Sequence, residues 1–233
     1  MENIIEVHGL FKTYESAGLQ VQALRGVDLN IERGQMVAIM GPSGCGKTTL
    51  LNALSGIDDI SAGEVIIDGS SIHHMPDNER TRYRARSMGF VFQAFNLLPV
   101  LTSVENIELP LLLGGMKQKL AREKAMATLD LVGLRDQATK RPAEMSGGQQ
   151  QRITVARAIV NDPAIIWADE PTGALDSETS KEIMDLLCDL NERKHQTFVL
   201  VTHDEGVGGR AGRLVRMRDG IVESDKLRSA TQA

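Results

Sequence analysis

The run from Gly41 through Pro42, Ser43, Gly44, Cys45, Gly46, Lys47 and Thr48 to Thr49 satisfies the spacing G-x-x-x-x-G-K-[ST]. Such a run does phosphate chemistry for physical reasons. Glycines let the backbone curl until several N–H groups face inward around phosphate oxygens. A helix starting behind the loop adds the positive end of its dipole. Lys47 is placed to bridge the β- and γ-phosphates of a nucleotide, and the Thr48 hydroxyl to ligate Mg²⁺. Cys45 reads either as a functional thiol or as a small residue filling a turn, and its place in the loop predicts that thiol reagents block nucleotide binding. A second constellation is Asp169-Glu170, which ends the apolar run AIIWA. A buried strand there would deliver Asp169 to the sheet edge, where it can hold the Mg²⁺ shell. Glu170, next in the chain, points another way and can act as general base on a water attacking the γ-phosphate.

These groups need elements to hold them. MVAIM, Met36 to Met40, is a near-continuous apolar run that reads as a strand buried on both faces and leading into the phosphate loop. LLNAL continues behind it as a helix. Short β-rich runs occur at Ile4–Val7, Val27–Ile31 and Val65–Ile67, the last followed by the hairpin signal Asp68-Gly69. Asp219-Gly220 gives the same signal near the C-terminus. Strands at Ile165–Ala168 and Phe198–Val201 are each followed by a helical segment, so the alternation points to a mostly parallel α/β sheet. The middle of the chain is helical. Thr102 and Glu105 have the spacing of a capping box, and Ala121, Ala125, Leu129 and Val132 recur at helical intervals. Ile183, Met184, Leu187 and Leu190 form a second stripe, read as core packing.

The chain has 233 residues, net charge −5 and two cysteines, Cys45 and Cys188. The acidic balance argues against a nucleic-acid partner, and the cysteine spacing against a zinc site or disulfide framework. The N-terminal residues lack a signal-peptide pattern. The uncharged stretch Ser87–Val104 is interrupted by Gln93, Asn96, Pro99, Thr102 and Ser103 and is not expected to span a membrane. Any work at a membrane is therefore expected to go through a partner.

Met145-Ser146-Gly147-Gly148-Gln149, with Gln150-Gln151-Arg152 behind it, resembles the signature motif of ATP-binding cassette (ABC) proteins and lies 23 residues before Asp169. With the phosphate loop and the carboxylate pair, the resemblance covers about Ile4 to Val222. It implies a P-loop NTPase (RecA-like) α/β core with an antiparallel β subdomain, spanning 1–93 and 146–233, and an inserted α-helical subdomain at about 94–145. It further implies that Tyr14 stacks on adenine, that Gln93 senses Mg²⁺ and joins the two lobes, that Asp176 belongs to the D-loop, and that His203 contacts the γ-phosphate. The catalytic set is then Glu170, His203 and Lys47, and the metal set Thr48, Gln93 and Asp169, with ATP and Mg²⁺ as cofactors.

In the family the signature faces the phosphate loop of a second cassette, so Ser146 to Gln149 imply a homodimer closed around two ATP. EPTGALDS, FNLLPVLTSVENIELPLLL and ALRGVDLNIERGQ resemble the LolD/MacB-like group. This implies an ATPase at the cytoplasmic face of the inner membrane that drives a separate permease for lipoprotein release or efflux. The alternative is a mechanotransmitting ATPase of the FtsE kind, working without cargo. The permease is expected to dock near Gln93–Pro99, on Phe95, Leu97 and Leu98. Three departures stand out. Met145 replaces the usual Leu, a volume-conserving swap. Gly173 stands where many members carry Ser. Gly206, Gly208, Gly209 and Gly212 follow His203, and at about 1 kcal/mol per glycine in a helix interior they predict a loose segment.

Overall fold

The computed structural model describes residues 2–16 and 18–228. In chain order the elements are β1 (Asn3–Ser16), β2 (Leu19–Glu32), β3 (Met36–Met40), α1 (Lys47–Leu54), β4 (Ala62–Ile67), β5 (Ser70–Ser71), α2 (Asp77–Ser87) and β6 (Met88–Phe92). There follow α3 (Ser103–Leu113), α4 (Gln118–Leu131), α5 (Gly147–Ile159), β7 (Ile165–Asp169), α6 (Ser177–Lys194), β8 (Thr197–Thr202), α7 (Glu205–Gly208), β9 (Arg213–Arg218) and β10 (Ile221–Leu227).

One sheet is antiparallel, in the order β2-β1-β4-β5. The other runs β10-β9-β3-β8-β7-β6, parallel except at the β10 edge. Alternate residues of the parallel strands enter opposite cores, as the period of two requires. Val37, Ile39, Trp167 and Val201 pack with α1 and the antiparallel sheet. Met36, Ala38, Phe198 and Leu200 pack against α5 and α6 on the other face. Both faces are covered, so β3 and β8 are buried at every position. The stripe of Ile183, Met184, Leu187 and Leu190 joins this second core, each side chain contributing about 1.5–3 kcal/mol as an upper estimate.

A third core lies among α3, α4 and α5. Thr102 and Glu105 form a capping box at the start of α3. Ala121, Ala125 and Leu129 are the buried face of α4. Met145 is buried in this cluster and its sulfur accepts from the Ser103 hydroxyl at 3.3 Å, so the longer thioether fills its place with a polar partner.

The structure adds two elements that sequence pattern did not supply. α2, DNERTRYRARS, buries no residue and so has no apolar stripe to betray it. β6 is short and carries Gly89, where a Cβ would stand 2.2 Å from the Ala158 carbonyl oxygen of α5. The strands β1 and β2 also run far beyond the short apolar runs: residues 19–23 of β2 include no buried position, and beyond Val7 the buried positions of β1 are Leu10 and a lysine, Lys12. Among the described residues, no helix is long and apolar enough to cross a membrane. The stretch from Ser87 to Val104 becomes β6, a loop and the start of α3.

Candidate active site

β3 delivers the chain to Gly41, and Gly46 takes a left-handed conformation (φ 102°) to cap α1. At both ends the loop is pressed against other backbone. A Cβ at Gly41 would meet the Met217 carbonyl oxygen at 2.2 Å, and one at Gly46 the Ala23 carbonyl oxygen at 2.6 Å. Lys47 is only 8% exposed, and its ammonium donates to the carbonyls of Gly41 (2.8 Å) and Pro42 (3.0 Å). The loop is thus curled around its own lysine. A cavity of about 320 Å³ borders Gly44, Gly46, Lys47, Thr48 and Thr49, with β2 and the turn Asp219-Gly220 as its outer wall. Pro42 and Ser43 are exposed. Cys45 is 4% exposed within the first core. The expectation that thiol reagents reach it loses its basis, because the sulfur is turned inward against Gly41.

β7 ends at Asp169, whose Oδ1 accepts from the Thr48 hydroxyl at 3.1 Å. Burial pushes the Asp169 carboxyl above its ordinary range. The Thr48 hydrogen bond and Lys47 oppose this, while the Glu170 charge adds to it. Two hard oxygen donors thus meet at a place that favours added positive charge, and this donor set suits Mg²⁺. Glu170 turns away with φ 47°, an uncommon conformation for a non-glycine residue, and its N–H is held by the Val201 carbonyl at 2.9 Å. Its Oε1 lies 2.7 Å from His203 Nδ1, and its Oε2 accepts from Thr202 at 3.2 Å. The Glu170 side chain is 17% exposed and that of His203 is 63% exposed. A half-sheltered carboxylate oriented by an imidazole has the form of a general base.

Phe92 pairs with Asp169 across β6 and β7, so Gln93 leaves the sheet beside Glu170. A Cβ at Gly173 would stand 2.8 Å from the Gln93 amide nitrogen. Glycine at 173 therefore lets Gln93 lie flat against the segment leading to Asp176. Asp176 caps α6, accepting from the N–H groups of Glu178 and Thr179, which with the Thr179 hydroxyl hold it below the usual carboxylate range. Ser146 caps α5 and forms a capping box with Gln149. Gly148 has a packing role in its own chain, where a Cβ would meet Thr179 Cγ2 at 2.5 Å. Tyr14 stands on β1, 40% exposed, with its hydroxyl donating to Asp58 at 2.6 Å.

Phe95 is half-buried with φ 57°, and its ring lies 3.7 Å from the place of a Cβ on Gly147; Leu97 packs into the third core. Phe95 and Leu97 are thus partly covered, while Gln93, Leu98 and Pro99 are exposed. Of the glycines after His203, Gly206 and Gly208 lie in a single helical turn, α7, capped by Asp204, with Val207 and Gly208 buried. Gly208 presses so close to Met40 that a Cβ would fall 2.1 Å from its sulfur. At 208, glycine is there for this contact. Sequence reasoning also missed the polar stripe Gln151, Thr154 and Arg157 on α5. These side chains donate to the carbonyls of Pro171, Phe95 and Asn96 at 2.5, 3.1 and 2.6 Å. Their i, i+3, i+6 spacing along α5 was the available signal.

The family model described as "ABC transporter" matches residues 24–173. The chain belongs to the ABC transporter ATP-binding family. The lipoprotein-releasing system ATP-binding protein LolD of Bacteroides thetaiotaomicron is 44% identical to this ABC ATPase over 95% of the chain and 100% of its own length. The macrolide export protein MacB of Syntrophobacter fumaroxidans is 44% identical over 96% of the chain, which spans 32% of that longer protein. Among solved structures, the dimeric ABC transporter cassette MJ0796 superposes with TM-score 0.89 at 44% identity, covering 97% of this chain and 99% of that one. A second structure of that cassette, a dimeric post-hydrolysis state bound to ADP and Pi, also matches at TM-score 0.89. The ABC ATPase described here is an ATP-binding, ATP-hydrolysing cassette of the LolD/MacB-like kind.

Proposed function

We propose that this ATPase energises a separate integral membrane permease from the cytoplasmic face of the inner membrane, in lipoprotein release or efflux of the LolD/MacB type. Two copies close around two ATP, each held between the phosphate loop of one copy and Ser146, Gly147, Gly148 and Gln149 of the other. The observation that carries this reading is the placement of α5. Its capped N-terminus is exposed and, among the described residues, makes no hydrogen bond to the phosphate loop of its own chain. Those N–H groups suit a phosphate brought by a second copy.

Each residue then has a task. The free N–H groups of the phosphate loop and the Lys47 ammonium hold the phosphates, and Tyr14 stacks on the adenine. Glu170 takes the proton of the attacking water while His203 orients it. Thr48 and Asp169 hold Mg²⁺ with Gln93 beside them, and the bound ion neutralises charge on the phosphate oxygens. Asp176 fixes the segment between the carboxylates and α6.

For the permease, the supporting feature is a groove of about 380 Å³ where β6 meets α3, lined by Phe90, Phe92, Leu109, Pro110 and Leu113. It lies one residue from Gln93, and Leu113 is 78% exposed. A Leu113→Glu variant purified from native membranes should lose its co-purifying permease and keep ATP binding. Undiminished association would refute this docking site. Reconstitution of the complex in vesicles, with and without ATP, then separates movement of cargo from cargo-free mechanical work.

A further inference from the structure

A set of contacts around Tyr14 lies outside the motifs. The Lys12 ammonium stands over the Tyr14 ring, 4.7 Å from its centroid. The same ammonium donates to Asp58 Oδ1 at 2.8 Å and to the Asp59 carbonyl at 2.6 Å. The other oxygen of Asp58 accepts from the Tyr14 hydroxyl at 2.6 Å. Lys12 is 9% exposed although it is a lysine, whereas Tyr14 is 40% exposed. Asp58 is itself tied to the phosphate-loop helix, its N–H donating to the Asn52 carbonyl at 3.1 Å. Burial, and after it Asp58, hold the phenol protonated above its ordinary range, with the Thr49 hydroxyl acting the other way. The phenol therefore stays a donor at neutral pH.

We infer that Lys12 and Asp58 are positioning residues for base recognition: they clamp Tyr14 with one ring face covered by a cation and the other free for the purine of the nucleotide. The inference rests on the reading of Tyr14 as the stacking residue. A tyrosine on an exposed strand end would otherwise rotate among rotamers and have to be ordered whenever a base arrives. The hydroxyl bond to Asp58 fixes the ring plane. The buried ammonium blocks one face and is attracted to the ring's negative quadrupole. Because Asp58 is anchored on α1, the ring plane is set relative to the helix that carries Lys47 and Thr48. The distance between the base site and the phosphate site is thereby fixed before ATP enters. Relieving such an ordering step changes affinity by roughly two- to twelve-fold.

The test compares affinities for ATP and for inorganic tripolyphosphate, each with magnesium, in the full chain. Tripolyphosphate has no base and reports on the phosphate loop alone. Lys12→Met, Asp58→Asn and Tyr14→Phe should each weaken ATP by roughly two- to twelve-fold and leave tripolyphosphate unchanged. Tyr14→Phe keeps the ring and deletes only the hydroxyl bond, so it remains informative should a variant at Lys12 or Asp58 fold poorly. In a Tyr14→Ala background, Lys12→Met should have no further effect on ATP. Equal weakening of both ligands by Lys12→Met, or a full Lys12 effect without the tyrosine, would overturn the clamp. If Tyr14→Ala alone leaves the ratio of the two affinities unchanged, the stacking reading itself fails, a result distinct from failure of the clamp.

Discussion

Oε1 of Glu170 lies 2.7 Å from Nδ1 of His203, on two neighbouring strand ends of the parallel sheet. The imidazole and the Thr202 hydroxyl fix the carboxylate without neutralising it by a fixed cation. Glu170→Gln keeps the size and the acceptor oxygen and removes the ability to take a proton. Hydrolysis should fall by about 10²–10⁴-fold with ATP affinity retained, and gel filtration with ATP should show a trapped dimer. Turnover at the parent rate would exclude Glu170 as the base.

Lys47 bonds to the carbonyls of its own loop before any nucleotide arrives. Lys47→Met therefore removes a phosphate partner and leaves two loop carbonyls without theirs. With charge-assisted hydrogen bonds contributing about 1.5–3 kcal/mol each, ATP affinity should fall at least ten-fold. Equilibrium titration with a fluorescent ATP analogue measures this.

Gly148→Ala places a methyl group 2.5 Å from Thr179 Cγ2. Overpacking of this kind costs about 1–3 kcal/mol, read as a lower denaturation midpoint. Adding Thr179→Ser removes the offending methyl and keeps the hydroxyl bond to Asp176, so stability should return. A double variant no more stable than the single one would refute the contact.

Asp162 joins two parts of the molecule, accepting from Lys124 of α4 at 2.9 Å and from Lys194 of α6 at 3.0 Å. Burial raises its carboxyl, but the two lysines outweigh that and hold it below the ordinary range. A carboxylate with a lowered folded-state pKa stabilises the fold above its unfolded value, and the effect fades as pH drops through the folded value. The side chain is 57% exposed, so solvent screening keeps the effect to about 1 kcal/mol or less. Asp162→Asn should lower Tm by about 1–3 °C at pH 7. The gap should close as pH falls below the usual carboxylate range. A gap that persists at low pH would assign the loss to packing.

What the sequence revealed depended on whether a residue's task was local. The buried runs of β3 and β7 were legible because burial on both faces leaves a continuous apolar signal. The capping box at Thr102 and the turn at Asp219-Gly220 were legible because their chemistry is confined to a few neighbours. Spacing alone made Lys47, Thr48 and Asp169 candidates for one site, and the fold brings Thr48 and Asp169 within 3.1 Å. α2 was hidden because all its burial signal is missing. The left-handed backbone of Phe95, which turns the ring toward Gly147, was not legible because the bonds that hold its carbonyl come from distant side chains of α5. The glycines at 173 and 208 looked like a departure and a cost for the same reason. Each is explained by an atom far away in sequence.

The floor beneath the phosphate loop comes from the far end of the chain. Met217 backs Gly41, and the N–H of Gly220 donates to the Cys45 carbonyl while its own carbonyl holds Arg25. During synthesis on a ribosome, residues 41–49 emerge long before that support exists. The cradle therefore lacks part of its backing until residues 217–220 have also been made.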